Sequence, residues 1–232
     1  MYNLFRVEKE VVVILKNPRI AGFVVILSTI LSFPSTHLEI LNPLSAFPAC
    51  IRTPSETSGP FYPLTYPLDN DNDLTFFKNK SEKAQGDIIF IKGVVQDEKC
   101  RPIPGAQVEI WQACSTGKYN HPGDRNSAKL DPNFQYWGKA ISNDKGEYGF
   151  KTIKPGSYPV SWFWTRPPHI HFSVRSRNFH PFTTQMYFAG EPLNSKDRLL
   201  GDHPKEDQER CIIPFQETNS IRIGKLDLTL KL

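Results

Sequence analysis

From Asp87 onward short apolar runs alternate with turn residues, a rhythm that predicts strands rather than helices. Residues 88–95 (IIFIKGVV) are apolar and β-branched, and RPIPG at 101–105 breaks them as a turn. Residues 106–111 resume the pattern, with Val108 and Ile110 on one face and Glu109 and Trp111 on the other. Asn143-Asp144-Lys145-Gly146 predicts a hairpin turn between strands at 139–142 and 148–152. Lys154-Pro155-Gly156 predicts another turn, and residues 169–174, 184–188 and 221–230 read as further strands. About seven short strands broken by turns indicate an all-β fold, an antiparallel β-sandwich with long loops. There is no internal repeat and no βαβ alternation.

The chain ahead of these strands divides in two. Residues 46–85 are rich in Pro, Ser, Thr and Asn without a helical period, and predict an extended N-terminal arm leading into a domain at 86–232. Residues 1–45 read as a targeting segment and linker. Arg6, Lys9, Lys16 and Arg19 precede residues 20–33 (IAGFVVILSTILSF), which carry no charge. Basic-then-apolar order of that length predicts an export signal or an uncleaved N-terminal membrane anchor. No small-x-small site follows Phe33, and Phe47-Pro48-Ala49-Cys50 is a poor lipoprotein box, so cleavage and anchoring both stay open.

Composition narrows the class. The 232 residues carry 28 Lys and Arg against 24 Asp and Glu, a net charge of +4, too mild and scattered to argue for nucleic acid. Twenty prolines and 14 glycines disfavour a long-helix bundle. Cys50, Cys100, Cys114 and Cys211 form no CxxC pair, so a four-thiolate zinc site is disfavoured. Their even count behind an export signal favours disulfides, with three pairings open. Cys100 and Cys114 flank a strand whose rise of about 3.3 Å per residue holds them too far apart to bond. Four buried free thiols is the alternative for a chain kept in the cytosol.

Chemistry enters with Arg166-Pro167-Pro168-His169-Ile170-His171-Phe172. On a strand His169 and His171 project from one face and can offer both imidazoles to one point, for which a metal is the usual reason. Among apolar neighbours two unpaired imidazoles would cost desolvation energy without a ligand. No carboxylate lies near them in sequence, but Tyr119 (GKYNH) and Tyr158 (KPGSYP) sit in turn-rich contexts. Phenolate is a hard anionic donor suited to trivalent iron. Taken singly, each tyrosine is as well explained by packing, and the histidine pair by the core.

Seven stretches together carry a resemblance: TSGPFYP at 57–63, PIPGA at 102–106 running to EIWQA at 109–113, GKY at 117–119, LDPNF at 130–134, TIKPGSYP at 152–159, RPPHIHF at 166–172 and QMYF at 185–188. In that order the chain resembles the intradiol ring-cleavage dioxygenases, in the branch of the protocatechuate 3,4-dioxygenase β subunit. The resemblance implies a non-haem Fe(III) bound by Tyr119, Tyr158, His169 and His171, with Tyr158 and His171 axial and Tyr119 and His169 equatorial. It implies that Tyr158 also serves as a base, that Arg166 lies beside the substrate and that Gln185 backs the ligands. Gly59, Pro60 and Tyr62 match the arm that lines the pocket, and Trp162 or Trp164 supplies a pocket aromatic. The implied reaction opens a catechol-type ring with O2, between its two hydroxylated carbons, to a cis,cis-muconate. Residues 160–164 are shorter than in the β subunit, whose enzyme also needs an α subunit. This chain carries the arm motif itself, so a homo-oligomer and an α-type partner are both open. The rival from another class is a non-catalytic metal- or ligand-binding module of the same fold. A zinc hydrolase built on the histidine pair leaves the tyrosines unexplained.

Overall fold

The computed structural model describes residues 49–177 and 179–231, so the expected targeting segment at 1–45 lies outside the described residues. Among them are β1 (Ile88–Asp97), β2 (Gln107–Trp111), β3 (Trp137–Ile141), β4 (Glu147–Ile153), β5 (Tyr158–Ser161) and β6 (Trp164–Arg166). There follow β7 (His169–Ser176), β8 (Phe179–Phe188), β9 (Ile212–Ile213), β10 (Phe215–Thr218), β11 (Ile221–Lys225) and β12 (Leu228–Leu230). A 3-10 turn (Pro192–Lys196) and two short helices, α1 (Arg198–Gly201) and α2 (Lys205–Cys211), separate β8 from β9.

Two sheets face each other. One is built on β1, which pairs with β4, β11 and β12, with β10 beyond β11; the other runs β3-β2-β7-β8-β9. Ile89, Ile91, Val95 and Phe150 of the first meet Val108, Ile110, Ile170, Phe172 and Met186 of the second in one buried core. The expected sandwich is present, with corrections of detail. Pairing is antiparallel except for β1 with β11, β1 with β12, and β8 with β9, which are parallel. The turn at 143–146 forms, with the Lys145 and Glu147 N–H groups both donating to Asn143 Oδ1 at 2.9 Å. It does not close a hairpin, because β3 goes on to pair with β2 while β4 crosses to β1. The run expected as one strand over 221–230 is two, since the Val94 N–H donates to the Asp227 side chain at 3.0 Å where a ladder bond would continue.

The two sheets differ in burial. On β1 alternate residues are partly exposed, whereas β2 is buried at four of its five positions and β7 is buried from His169 through Val174. Ile170, Phe172 and Val174 enter the core. His169, His171 and Ser173 therefore point to the opposite face of the sheet, and that face is also closed. The arm helps to close it. Glu56 N–H donates to Thr183 O at 2.9 Å, Thr184 Oγ1 to Pro54 O at 2.7 Å, and Gln185 Nε2 to Thr57 O at 3.0 Å. Upstream, Thr53 exchanges bonds with Thr229 on β12, and Cys50 is disulfide-bonded to Cys100. Cys114 and Cys211 are buried free thiols, so the even count resolves into one bridge among the described residues.

Asp97 fixes the turn beside that bridge. Its carboxylate accepts from Lys99 N–H at 2.8 Å, Arg101 N–H at 3.0 Å and Arg101 Nε at 2.7 Å. Burial pulls this carboxyl upward, but the hydrogen bonds from Arg101 and Lys99 outweigh it and hold it below the usual carboxylate value. Asp97→Asn removes the charge and one acceptor, and should cost about 1–2 kcal/mol at pH 7. A depressed carboxylate stabilises the fold above its unfolded value near 3.9 and loses that contribution as pH falls through the folded value. The gap between wild type and variant should therefore shrink at low pH, as read by urea unfolding at pH 7 and pH 3.

Candidate active site

The closed outer face of the second sheet carries one cross-strand row of Trp111, His171 and Gln185, with His169 paired to Tyr187 in the row beside it. Trp111 stacks flat on His171, ring centroids 4.9 Å apart and planes within 8°. The strand period delivers both imidazoles to this face; Tyr119 comes from a loop and Tyr158 from the first position of β5. Gly117 and Gly156 each lie two residues before a tyrosine and sit where the two loops cross. A Cβ on Gly156 would lie 2.5 Å from Ser115 O, and one on Gly117, which also has φ +80°, 2.2 Å from Ser157 O. Only backbone without side chains passes at that distance. The crossing leaves Tyr119 and Tyr158 with centroids 5.5 Å apart and rings nearly perpendicular. Asp124 holds the Tyr119 loop, accepting from Tyr119 N–H and Asn126 N–H at 2.7 Å each.

The polar atoms converge. Tyr119 Oη lies 3.4 Å from His169 Nε2, and the rings of His169 and His171 are 4.9 Å apart. His169 Nδ1 is 2.7 Å from Pro167 O, which makes Nδ1 the protonated nitrogen and leaves the Nε2 lone pair toward the tyrosines. Arg166 Nη1 donates to that nitrogen at 3.0 Å. Burial and then the Arg166 charge push the His169 imidazole far below its ordinary value. His171 is lowered by burial, with His169 and Arg166 adding to it. Both rings are neutral and able to ligate. Burial raises both tyrosines, outweighing the opposing charge of Arg166, so without a metal ion beside them they are phenols. His171 Nδ1 is buried without a partner in the structure. Among the described residues no group of three or more His, Cys, Asp or Glu is placed to hold a metal ion, and the side-chain oxygens beside the two imidazoles here are phenolic.

A cavity of about 930 Å3 opens against this group, walled by Gly59, Pro60 and Phe61 of the arm and by Tyr158, Trp164, Arg166 and His171. Arg166 is buried and ion-paired to Asp197 at 2.9 Å, which outweighs the burial and keeps the guanidinium charged.

A family model described as "Dioxygenase" matches residues 57–208, and the Burkholderia cepacia protocatechuate 3,4-dioxygenase beta chain is 40% identical over 151 residues, 62% of this chain and 63% of that one. The chain belongs to the intradiol dioxygenase family. The Candida albicans catechol 1,2-dioxygenase is 31% identical over 61% of this chain and 49% of its own length. The chain thus spans about half to just under two-thirds of these curated relatives. Among solved structures, the dioxygenase domain of a dioxygenase and carbohydrate-binding protein fusion from Streptomyces sp. SirexAA-E is 26% identical with TM-score 0.60, covering 78% of this chain and 99% of that one. An intradiol ring-cleavage dioxygenase from Tetranychus urticae, 22% identical with TM-score 0.62, covers 78% and 95% and shares the fold.

In this chain of the intradiol dioxygenase family the structure brings Tyr119, Tyr158, Arg166, His169 and His171 together, with Gly59 and Pro60 at the cavity wall. Gln185 lies in the row of His171 but spends its amide on the arm at Thr57 O. Two expected pocket residues lie elsewhere. Trp162 is fully exposed at the turn between β5 and β6, while Trp164 faces the cavity. Tyr62 stands edge-on behind Trp111, ring centroids 5.0 Å apart, and donates to the buried Glu109 carboxylate at 2.7 Å. Its neighbour Phe61 takes the cavity side instead. Phe61, Trp111 and Asp197 were not singled out from the sequence. Trp111 was within reach, since the period of two already put it opposite the core face.

The loop crossing gives a direct test. Gly156→Ala should destabilise by about 1–3 kcal/mol, because the added methyl meets rigid backbone. Gly201→Ala, with nothing within 4 Å of the added methyl, should be neutral or slightly stabilising. Thermal unfolding of the two variants beside wild type reads the difference.

Proposed function

We propose that the chain is an Fe(III)-dependent intradiol dioxygenase, which opens a catechol-type ring between its two hydroxylated carbons with O2 to give a cis,cis-muconate. The observation that carries this reading is the meeting of two neutral imidazoles and two buried phenols beside a buried arginine, with Tyr158, His171 and Arg166 of that group lining the cavity. The relatives named as protocatechuate and catechol dioxygenases support it.

The donor set fits a hard trivalent cation: phenol oxygens that a cation would ionise, and imidazoles that burial keeps neutral. Tyr119, Tyr158, His169 and His171 would hold it. Bound there, Fe(III) would supply the charge that stabilises a catechol dianion and opens the ring to attack by O2. The remaining steps belong to the chain. Gly59, Pro60 and Phe61 shape one wall and exclude water from the ring. Tyr158 Oη, at the same wall, would take a proton from a catechol hydroxyl once its own proton had been lost to solvent on loading of the ion. Arg166 holds a permanent positive charge over the region where anionic charge builds, and its hydrogen bonds fix it before the reaction begins.

We also propose that the protein is exported. Support comes from the Cys50–Cys100 bridge, of a kind that persists in oxidising compartments, and from the basic-then-apolar order within residues 1–45. A reporter fused to residues 1–50 should leave the cytosol or associate with membrane; a wholly cytosolic reporter would overturn export.

Three measurements bear on the reaction. Purified protein should be reddish from phenolate-to-Fe(III) charge transfer, and Tyr119→Phe and Tyr158→Phe should each alter that band; colourless protein with stoichiometric zinc would sink the iron reading. Under labelled O2 both atoms of one molecule should enter a muconate, and a 2-hydroxymuconic semialdehyde would refute intradiol cleavage. Arg166→Leu should lower kcat about a hundredfold, about 3 kcal/mol, with a smaller effect on substrate binding.

A further inference from the structure

We infer that Asp197 is the positioning residue of the site, setting the direction in which Arg166 presents its charge and fixing Trp164 at the cavity wall by the same carboxylate. The inference rests on the reading of Arg166 given above and extends it to a residue that no motif marks.

Both partners are buried: the Arg166 side chain is 4% exposed and that of Asp197 0%. The contact is a two-point fork, Nε to Oδ1 at 3.2 Å and Nη2 to Oδ2 at 2.9 Å, which fixes the plane of the guanidinium as well as its place. With that edge engaged, Nη1 is the nitrogen left facing His169 Nε2. Each oxygen of Asp197 has a second donor. Oδ1 accepts from Trp164 Nε1 at 3.1 Å, and Oδ2 from the Leu200 N–H at 3.4 Å, where Asp197 caps the start of α1. A carboxylate has about four acceptor positions, so Asp197 is saturated and held from turning. Its backbone is set between the 3-10 turn and α1, and Leu199 of α1 also lines the cavity. One carboxylate thus joins a charge, an aromatic wall and a helix end. Among the described residues Asp197 is the only carboxylate ion-paired with Arg166. Glu56 reaches the same network through the Tyr187 hydroxyl, which in turn accepts from Arg166 Nη2 at 2.9 Å.

The test has two arms. In the full chain labelled with 15N at arginine and tryptophan side chains and loaded with diamagnetic Ga(III) in place of iron, wild type should give a slowly exchanging Arg166 Nε–H, separate Nη–H signals and a shifted Trp164 indole N–H. Asp197→Asn should average the first two and move the third. Unchanged signals would overturn the inference. In the second arm, kcat and KM for a catechol are measured through a double-mutant cycle. Asp197→Asn should lower kcat about tenfold or more with KM within about threefold, and should cost nothing further when added to Arg166→Leu. A full additive loss would overturn it, because a merely structural role lowers activity whether or not Arg166 is present. Should Asp197→Asn not accumulate as folded protein, Arg166→Leu with Asp197→Leu removes both buried charges and should match Arg166→Leu alone in kcat. A wild type that cleaves no catechol would defeat the proposed function, and the spectroscopic arm would still decide on Asp197.

Discussion

The structure turns on the burial of β7 on both faces. In an ordinary sandwich one face of each sheet meets the core and the other meets water. Here the outer face of the second sheet is closed by the arm and by the loops that carry the tyrosines. That closure is what makes an HxH pair chemical. In water both imidazoles would titrate in the ordinary range and bind protons as readily as metal; buried beside Arg166 they stay neutral. The same burial keeps the two phenols protonated until a cation arrives. One act of desolvation therefore prepares all four donors, and its cost is what a bound ion would offset.

Position is supplied by a different device. The histidines inherit theirs from strand register, which fixes His171 between Trp111 and Gln185. Tyr119 has no strand to place it and Tyr158 only begins the short β5, so where their segments cross two glycines set them by letting backbone touch backbone. Arg166 sits at the end of β6, a short strand in the small β5–β6 hairpin, and needs Asp197 to hold it. Register, close backbone approach and a buried ion pair thus solve the same problem for three kinds of side chain.

Much of this was legible in the sequence, and the limits follow a physical line. The strand run at 169–174 and its alternation gave the histidine face, and the turn residues marked where strands break. The turn at 143–146 was legible as a turn, but its destination was not. Asn143 and Gly146 encode the reversal of the chain, while the choice between β1 and β2 as partner depends on contacts distant in sequence. The division of 221–230 was hidden because Asp227 replaces a ladder bond with its side chain. Trp162 and Trp164 looked equivalent; only the hairpin between β5 and β6 leaves Trp162 at its exposed turn and puts Trp164 on β6 at the cavity. Asp197 lies 31 residues from Arg166 with no spacing rule to join them.

The division between chemistry and choice of substrate follows from which segments carry each. The donors hang on β7 and on two loops locked at a glycine crossing, so their geometry tolerates little change. The cavity wall comes from the arm, from Trp164 in the small hairpin and from α1, segments outside the two main sheets. Side chains there lie outside the main core between the sheets, so they can change size without disturbing strand register. A fold arranged in this way can keep one reaction while altering the ring it accepts. The bridge from Cys50 to Cys100 and the bonds of Thr53 to Thr229 then have a use beyond stability, because they anchor the arm at the end that leads into Gly59 and Phe61. The selective wall is thereby as fixed in place as the donors it faces.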